Sequence, residues 1–495
     1  MNDNRLTRNA LMAVVQVIIT GGVLFLLYRY LLRMIGAEQV GIWAIVLATA
    51  SASRISEMGF AGSAVKYTAK YIARGEESRA SEVIQTTVIS IGVVLACVLA
   101  GGYPLIEMLM VEIVPSANIM DALAILPYAL VSVWFGAVAG VFFSGLDGCQ
   151  RIDLRVLVSM LATVSLLLLT WLLVPQHGLV GLAWAQIGQG VLMLCGSWLL
   201  LRRELPSLPL LPINWSYPLF REMFRYGFNF QIISIVAMLF DPMTKALMVK
   251  FGGLSSAAYY EMASRMVMQF RSLLVSANQV IVPQIADIHE SAPDKIREVY
   301  LDSYRLMFFF VLPLYASVVA IAPLASELWI GHFENIFVGY TLLLAAGYCF
   351  NTLVSPAYYV NLGTGLLRWN MLSNVVIGIL NVILGYWLGK LLAGGGVALG
   401  YTLSLAIGSA LLVWRFHRDH QIMLVELFPA ECRKLFFVCC ISLLLGWSAF
   451  HVMEDLMGIA RAGITLAVCL VPIAIACWKH PMRQRVILRI TGAIS

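Results

Sequence analysis

Apolar stretches of about 20 residues recur along almost the whole chain, and no other feature constrains its fold as strongly. Hydrophobic residues make up 60% of the 495 positions and charged residues 12%, with a mean hydropathy of +0.85. A soluble domain carries about twice this charged fraction. Because a backbone in lipid must satisfy its own hydrogen bonds, such a chain crosses the bilayer as helices. The sequence therefore predicts an all-α integral membrane protein.

About fourteen transmembrane helices are predicted when each span takes roughly 20 apolar residues. They fall near residues 9–32, 40–60, 83–109, 121–145, 155–174, 179–201, 226–249, 256–283, 305–328, 337–361, 369–392, 396–416, 433–452 and 460–478. Most of the 33 lysines and arginines then lie on the side of the N-terminus. By the positive-inside rule, we expect both termini to be cytoplasmic.

The loops on the opposite side are short, which argues against an enzyme. A membrane glycosyltransferase, polymerase or ligase usually carries its carboxylates or histidines on a sizeable loop there. The nine cysteines form no CxxC motif and no cluster with histidine. Neither a metal site nor a disulfide framework is expected, and the sequence offers no catalytic residues.

An internal duplication is indicated by three matches at nearly one offset. The segments 29–43 and 245–260 align at 216 residues, while 147–151 with 364–368 and 178–185 with 395–402 align at 217. Six spans separate the copies, so both halves enter the membrane in the same sense, and such repeats meet at a substrate site. The predicted organisation is a six-helix lobe at 1–205, a cytoplasmic linker at 206–225, a six-helix lobe at 226–420, and two extra helices with a cytoplasmic tail at 421–495.

Ionisable residues inside the predicted spans mark candidate functional positions, because a charge at mid-membrane costs roughly 2.5–3.5 kcal/mol. The cations are Arg29, Arg54, Lys245, Arg265 and Arg271, and the carboxylates are Glu57, Asp241 and Glu261. The pairs 54/57, 241/245 and 261/265 lie three or four residues apart, so each pair shares a helix face.

The repeat relates these cations to one another. Arg29 plus 216 is Lys245, and Arg54 plus 216 falls one residue before Arg271. Cations at related heights predict a positive central cavity that binds an anion such as a diphosphate, with Arg265 as a further member. Two alternatives stay open: Arg29 snorkels to the outer interface, and the pairs are structural ion pairs. The carboxylates are also candidates for H⁺ or Na⁺ coupling.

The GxxGxAxA-like turn GLVGLAWA (178–185), together with two six-helix lobes, resembles the multidrug/oligosaccharidyl-lipid/polysaccharide exporter superfamily. The segments IGAEQVGIW (35–43) and EMGFAGSAVKYTAKYIARGEE (57–77) resemble, within it, the polysaccharide exporters, which are the Wzx-type O-antigen and capsule flippases. The resemblance implies flipping of an undecaprenyl-diphosphate-linked oligosaccharide across a bacterial inner membrane by alternating access of two lobes. It also implies membrane lipids and the polysaccharide polymerase machinery as partners, with no cofactor and no nucleic acid.

Three other functions remain open at this point. A multidrug or organic-cation antiporter of the same superfamily is disfavoured, because a cationic cargo calls for acidic cavity residues. A peptidoglycan-precursor flippase fits as well, since it also has fourteen spans and a cationic cavity. A membrane glycan polymerase or ligase is disfavoured by the short outer loops.

Overall fold

The computed structural model describes residues 3–52, 58–279, 285, 288–289, 291, 295–427, 429–453, 456 and 458–484. This part of the chain contains fifteen α-helices and no strand. An all-helical architecture is what a bilayer requires, because a helix satisfies its backbone groups internally. The predicted fold class is confirmed.

The helices follow one another with short connections. They are α1 (Asp3–Met34), α2 (Gly36–Ala52), α3 (Met58–Ala73), α4 (Glu77–Ile113), α5 (Ile119–Gly148), α6 (Ile152–Glu204), α7 (Tyr217–Gly252), α8 (Leu254–Gln279), α9 (Ile296–Trp329), α10 (Asn335–Leu353), α11 (Ser355–Gly363), α12 (Arg368–His420), α13 (Leu424–Leu427), α14 (Ala430–Val452) and α15 (Gly458–Lys479).

Nine helical segments in the described ranges are long and apolar enough to cross a membrane. Two of them, α6 and α12, each contain two predicted spans joined across a kink. The predicted spans at 226–249 and 256–283 fall on α7 and α8, and the predicted span at 40–60 begins on α2 and ends on α3. The structure therefore places a helix on each predicted span, although the ends of the spans at 40–60 and 256–283 touch residues outside the described ranges.

The chain divides into two compact units, Met1–Ala258 and Tyr259–Ser495. In the first unit α5 packs against α2, α3, α4 and α6, and α7 packs against α2 and α3. In the second unit α9 packs against α10, α14 and α15. The extra C-terminal pair therefore contributes to the core around α9, where Phe308, Leu435 and Ile473 are buried together.

The non-helical connection between α6 and α7 covers residues 205–216, and the predicted cytoplasmic linker at 206–225 stays a prediction. Helix α7 begins at Tyr217, nine residues before the predicted span at 226–249. Its first turns carry the exposed Arg221 and Arg225. The first unit also extends to Ala258, since α7 packs within it. The lobe boundaries at 205, 226 and 420 stay predictions.

Backbone geometry repeats at the offset that the sequence indicates. Helices α6 and α12 both have 53 residues, and their first residues are 216 positions apart. Helix α6 leaves helical geometry at Gly178 (φ 53°, ψ −130°) and α12 at Leu392 and Ala393 (φ 52°, ψ −140° at Ala393). Gly178 and Ala393 are 215 positions apart, within two residues of the offset in the sequence. The breaks before α2 and α8 have positive φ at Gly36 and Gly253. The counterpart of Gly36 is thus Gly253, one residue later than the alignment gives.

Each kink closes a tight helical hairpin. A Cβ atom on Gly181 would overlap with the carbonyl oxygen of Leu173, and one on Gly396 would overlap with that of Leu388. Only glycine permits backbones to approach this closely. The two hairpins are therefore built by the same backbone contact.

Candidate functional site

Helix α7 carries an intramembrane ion pair. Lys245 Nζ lies 2.7 Å from Asp241 Oδ2, four residues earlier. The lysine is only 3% exposed, whereas the aspartate side chain is 55% exposed. A buried ammonium requires a partner of this kind, because an uncompensated buried charge costs several kcal/mol. The structure thus brings together the two residues that the sequence places on one helix face.

Helix α8 carries a second pair with the opposite burial. Arg265 Nε donates to Glu261 Oε1 at 2.7 Å. Here the carboxylate is 3% exposed, and the arginine side chain is 47% exposed. The buried member is a cation on α7 and an anion on α8. Each of these two pairs is formed within one helix.

Arg271 differs from these two cations, because no carboxylate in the described ranges lies within ion-pair distance of it. Its Nη2 donates to the side-chain oxygen of Asn351 at 3.1 Å. Its guanidinium carbon lies 5.3 Å from the ring centroid of Tyr348, within cation–π range. Its buried Nε has no hydrogen-bond acceptor among the described residues. Arg271 is therefore held by neutral groups.

The groups around Arg271 form a network that joins three helices. Asn351 Nδ2 donates to Ser409 Oγ at 2.9 Å, and the hydroxyls of Tyr348 and Tyr401 are 2.6 Å apart. We call Arg271, Tyr348, Asn351, Tyr401 and Ser409 the Arg271 cluster. It links α8, α10 and α12 within the second unit. Chemically, a guanidinium that is held by neutral groups is suited to binding an anion.

Sequence reasoning missed the four neutral members of this cluster. Tyr348 and Asn351 are three residues apart on α10, which places them on one face. Polar side chains inside a span are themselves a functional signal. Their pairing with Arg271 was not readable, because Asn351 is 80 residues away along the chain.

The remaining predicted site residues are placed only in part. Arg29 is partly buried near the end of α1. Arg54 and Glu57 lie outside the described residues. The repeat relationships of Arg29 with Lys245 and of Arg54 with Arg271 stay predictions.

A basic surface lies on α3, at the end of the first unit that carries the linker. Lys70 Nζ is 5.4 Å from the Tyr67 ring and 4.0 Å from a Glu222 carboxylate oxygen on α7. These groups are partly or fully exposed, so the pair contributes little stability. Residues 3–52, 58–279 and the later described ranges contain no group of three or more metal-ligand side chains.

Comparison with known families gives one match over more than half of the chain. The model of a family described as "polysaccharide biosynthesis protein" matches residues 6–289. No curated protein is significantly similar in sequence.

Solved structures with the same fold are membrane transporters and flippases. A lipid II flippase MurJ in an inward closed conformation has a TM-score of 0.72 at 15% identity, covering 98% of this chain and 99% of its own. An inward-facing multidrug resistance MATE family transporter of the MOP superfamily has a TM-score of 0.67 at 16% identity, covering 82% and 98%. A MOP superfamily transporter from Pyrococcus furiosus, whose binding pocket is described as having reversed polarity, has a TM-score of 0.58 at 14% identity, covering 83% and 95%.

Proposed function

This chain belongs to the polysaccharide biosynthesis protein family, and from that premise we propose that it is a flippase for a lipid-linked oligosaccharide. In this proposal an undecaprenyl-diphosphate-linked glycan passes from the cytoplasmic to the outer leaflet of a bacterial inner membrane. Both termini are cytoplasmic, and the product is used to build O-antigen or capsule with the polymerase machinery. The solved structures that share the fold are transporters and flippases, so no enzymatic activity is assigned.

The observation that carries the proposal is the neutral surroundings of Arg271. Its guanidinium is held by an amide, a hydroxyl network and an aromatic ring, and no carboxylate in the described ranges lies within ion-pair distance of it. A structural role alone would be met at lower cost by an apolar side chain or a paired arginine. A diphosphate has about two negative charges, and arginine binds its oxygens in a bidentate manner.

The two ion pairs supply a means of binding and release. An incoming diphosphate competes with Asp241 for Lys245 and with Glu261 for Arg265, and re-formation of each pair releases the cargo. Because Lys245 is 3% exposed, the exchange at this pair requires that the alternating-access movement first expose the lysine, whereas Arg265 is already half exposed. Protonation or Na⁺ binding at either carboxylate would favour the cargo-bound form, which makes these two residues the coupling candidates.

Two alternatives are weighed against this proposal. An organic-cation antiporter needs a net negative site, whereas the buried Glu261 is neutralised by Arg265 and Arg271 adds positive charge. A peptidoglycan-precursor flippase handles the same lipid diphosphate chemistry, and the likeness to the lipid II flippase MurJ favours it as the second candidate.

The test is flipping of a fluorescent undecaprenyl-diphosphate oligosaccharide by the purified chain in proteoliposomes. Arg271→Ala should reduce the flipping rate at least about tenfold, since a charged hydrogen bond of roughly 1.5–3 kcal/mol is lost. Arg271→Lys should retain part of it, because a point charge remains. The matched control is Lys390→Ala, which removes a cation that contacts Tyr386 and Trp387 instead.

Three results would contradict the proposal. Normal flipping by Arg271→Ala would show that Arg271 does not bind the anionic cargo. Transport of lipid II in preference to the oligosaccharide would favour the peptidoglycan-precursor function. Transport of an organic cation that survives Arg271→Ala would favour the antiporter.

A further inference from the structure

The connection between α6 and α7, residues 205–216, lies along α4 as an extended strap. Near its start, Ser207 Oγ donates to the Glu77 carbonyl, and Ser81 Oγ donates to the Ser207 carbonyl. Near its end, the Trp215 indole donates to Ser90 Oγ at 3.0 Å. The strap therefore follows α4 from its first turn to its fourteenth residue.

Side chains of α4 satisfy the strap's backbone. Gln85 Oε1 accepts from the amides of Ile213 and Asn214 at 3.2 and 3.1 Å. Thr86 Oγ1 accepts from the Ser216 amide at 3.2 Å. Three strap positions, 206, 209 and 212, are prolines, which have no N–H to satisfy. A non-helical segment close to lipid is less costly where its amides are bonded or absent, which holds at these six strap positions.

The depth of the strap follows from the charges on α4. Glu82 is the last charged residue before an uncharged stretch that continues to Glu107. Ser90 is eight residues beyond Glu82, which is about 12 Å along a helix. The end of the strap therefore lies beside the first turns of the uncharged stretch of α4.

The outer face of the strap is apolar and exposed. Leu210, Leu211 and Ile213 are 62%, 71% and 75% exposed. This face continues into the exposed Val93 and Val94 of α4, which belong to a membrane span. We propose that the strap is inserted into the leaflet on the basic side of the protein, with these side chains among lipid acyl chains. The linker is thus a membrane anchor, and this inference does not depend on the transported substrate.

Water accessibility of introduced thiols tests the proposal. Leu211→Cys and Ile213→Cys in the full chain, reconstituted in nanodiscs, are compared with Arg79→Cys, an exposed position on the same side. The parent chain gives the background of its nine native cysteines. A charged methanethiosulfonate reagent should modify the strap positions about tenfold or more slowly than Arg79→Cys. A fluorophore at Leu211→Cys should be quenched by nitroxide-labelled phosphatidylcholine.

Rapid modification of both strap positions without lipid quenching would overturn the proposal, because it would place the strap in water. Slow modification without quenching would also overturn it, because a protein surface would then cover the strap.

A second experiment removes the side chain of α4 that accepts hydrogen bonds from two amides of the strap. Gln85→Leu should raise the modification rate at Ile213→Cys about tenfold, since two hydrogen bonds are lost. Thr87→Val is the matched control, because the Thr87 hydroxyl contacts Val83 and Met223 and not the strap. Equal effects of the two variants would contradict the role of Gln85.

Discussion

Arg271 donates a hydrogen bond of 3.1 Å to the amide oxygen of Asn351, a neutral partner for a cation inside a membrane span. A carboxylate at the same place would cancel the charge, and an apolar residue would leave the donor unsatisfied. The amide does neither. The neutral partner therefore holds the guanidinium in position while leaving its charge available to an anion.

Changing this partner should separate stability from transport. We expect Asn351→Asp to keep or raise thermal stability, because a charge-assisted hydrogen bond is roughly twice as strong as a neutral one. It should at the same time lower oligosaccharide flipping at least about tenfold, because the cation is neutralised. Thr402→Val, which removes a hydrogen bond of 2.8 Å from α12 to the Leu343 carbonyl of α10 outside the Arg271 cluster, is the control and should change flipping little. Undiminished flipping by Asn351→Asp would show that the charge of Arg271 is not used.

The buried lysine of α7 should depend strongly on its partner. Asp241→Asn removes the carboxylate 2.7 Å from Lys245 and should lower the free energy of unfolding by about 1.5–3 kcal/mol, the contribution of a hydrogen bond between charged groups. The double variant Asp241→Asn with Lys245→Met should recover most of this loss, because no buried charge remains. Asp419→Asn removes a carboxylate that lies 2.9 Å from the Arg415 guanidinium, in an ion pair where both side chains are partly exposed. This variant should lower the free energy of unfolding by less than about 1 kcal/mol. Thermal unfolding in detergent measures all three, and equal losses for the two single variants would refute the expectation.

Ala393 should be replaceable by glycine with a gain in stability. Its backbone at φ 52° and ψ −140° is a region that essentially only glycine adopts at low cost. We expect Ala393→Gly to stabilise the protein by about 1 kcal/mol and Gly178→Ala to destabilise it by about 1–3 kcal/mol. A Cβ at Gly178 would have no atom within 4 Å, so the change in stability caused by Gly178→Ala comes from backbone strain and not from a steric clash. Gly395→Ala, also with open space around the Cβ, is the control in helical backbone, and a loss there as large as at Gly178 would contradict the argument.

His417 should make stability depend on pH below neutrality. Burial lowers the pKa of His417 from its ordinary value of 6.5, and its Nε2 lies 2.8 Å from the Tyr300 hydroxyl. The charge of Glu426 raises the pKa of His417, whereas the charge of His420 lowers this pKa, as burial does. The unfolded chain therefore takes up a proton at higher pH than the folded chain does. Stability is highest above pH 6.5 and falls as the pH decreases from 6.5 towards the lowered value.

Thermal unfolding at pH 7.5 and pH 5 measures this dependence. His417→Gln should show a smaller difference between the two pH values than the parent chain. His451→Gln, at an exposed position on α14, is the control and should leave the difference unchanged. A pH dependence that His417→Gln leaves unaltered would assign the effect to other groups.

Much of the fold was predictable, because lipid imposes simple rules. The length of a span and the need for internal hydrogen bonds locate the helices, and the repeat offset locates the kinks in α6 and α12. The position of the break before α8 was one residue off, since Gly252 and Gly253 are both glycines and only the backbone shows which has positive φ. The strap was predicted only as a linker. No local sequence pattern indicates that Gln85 accepts hydrogen bonds from the amides of Ile213 and Asn214, which are 128 and 129 positions away.

The candidate site was predictable only where it is local. The pairs on α7 and α8 follow from a spacing of four residues, which is visible in the sequence. The surroundings of Arg271 depend on contacts between α8, α10 and α12, and these need the packed structure. Burial was also unreadable, since equal spacing gives a buried lysine on α7 and a buried glutamate on α8.

The glycine contacts at Gly181 and Gly396 have a consequence for biogenesis. Only residues 175–178 separate the two predicted spans of α6, and the backbone of one span rests directly on the other. During synthesis, the first span of α6 therefore cannot be inserted in the bilayer while the second span is still in water and far from it. We expect each hairpin to leave the translocon as a single unit, with its glycine required for insertion before any transport takes place.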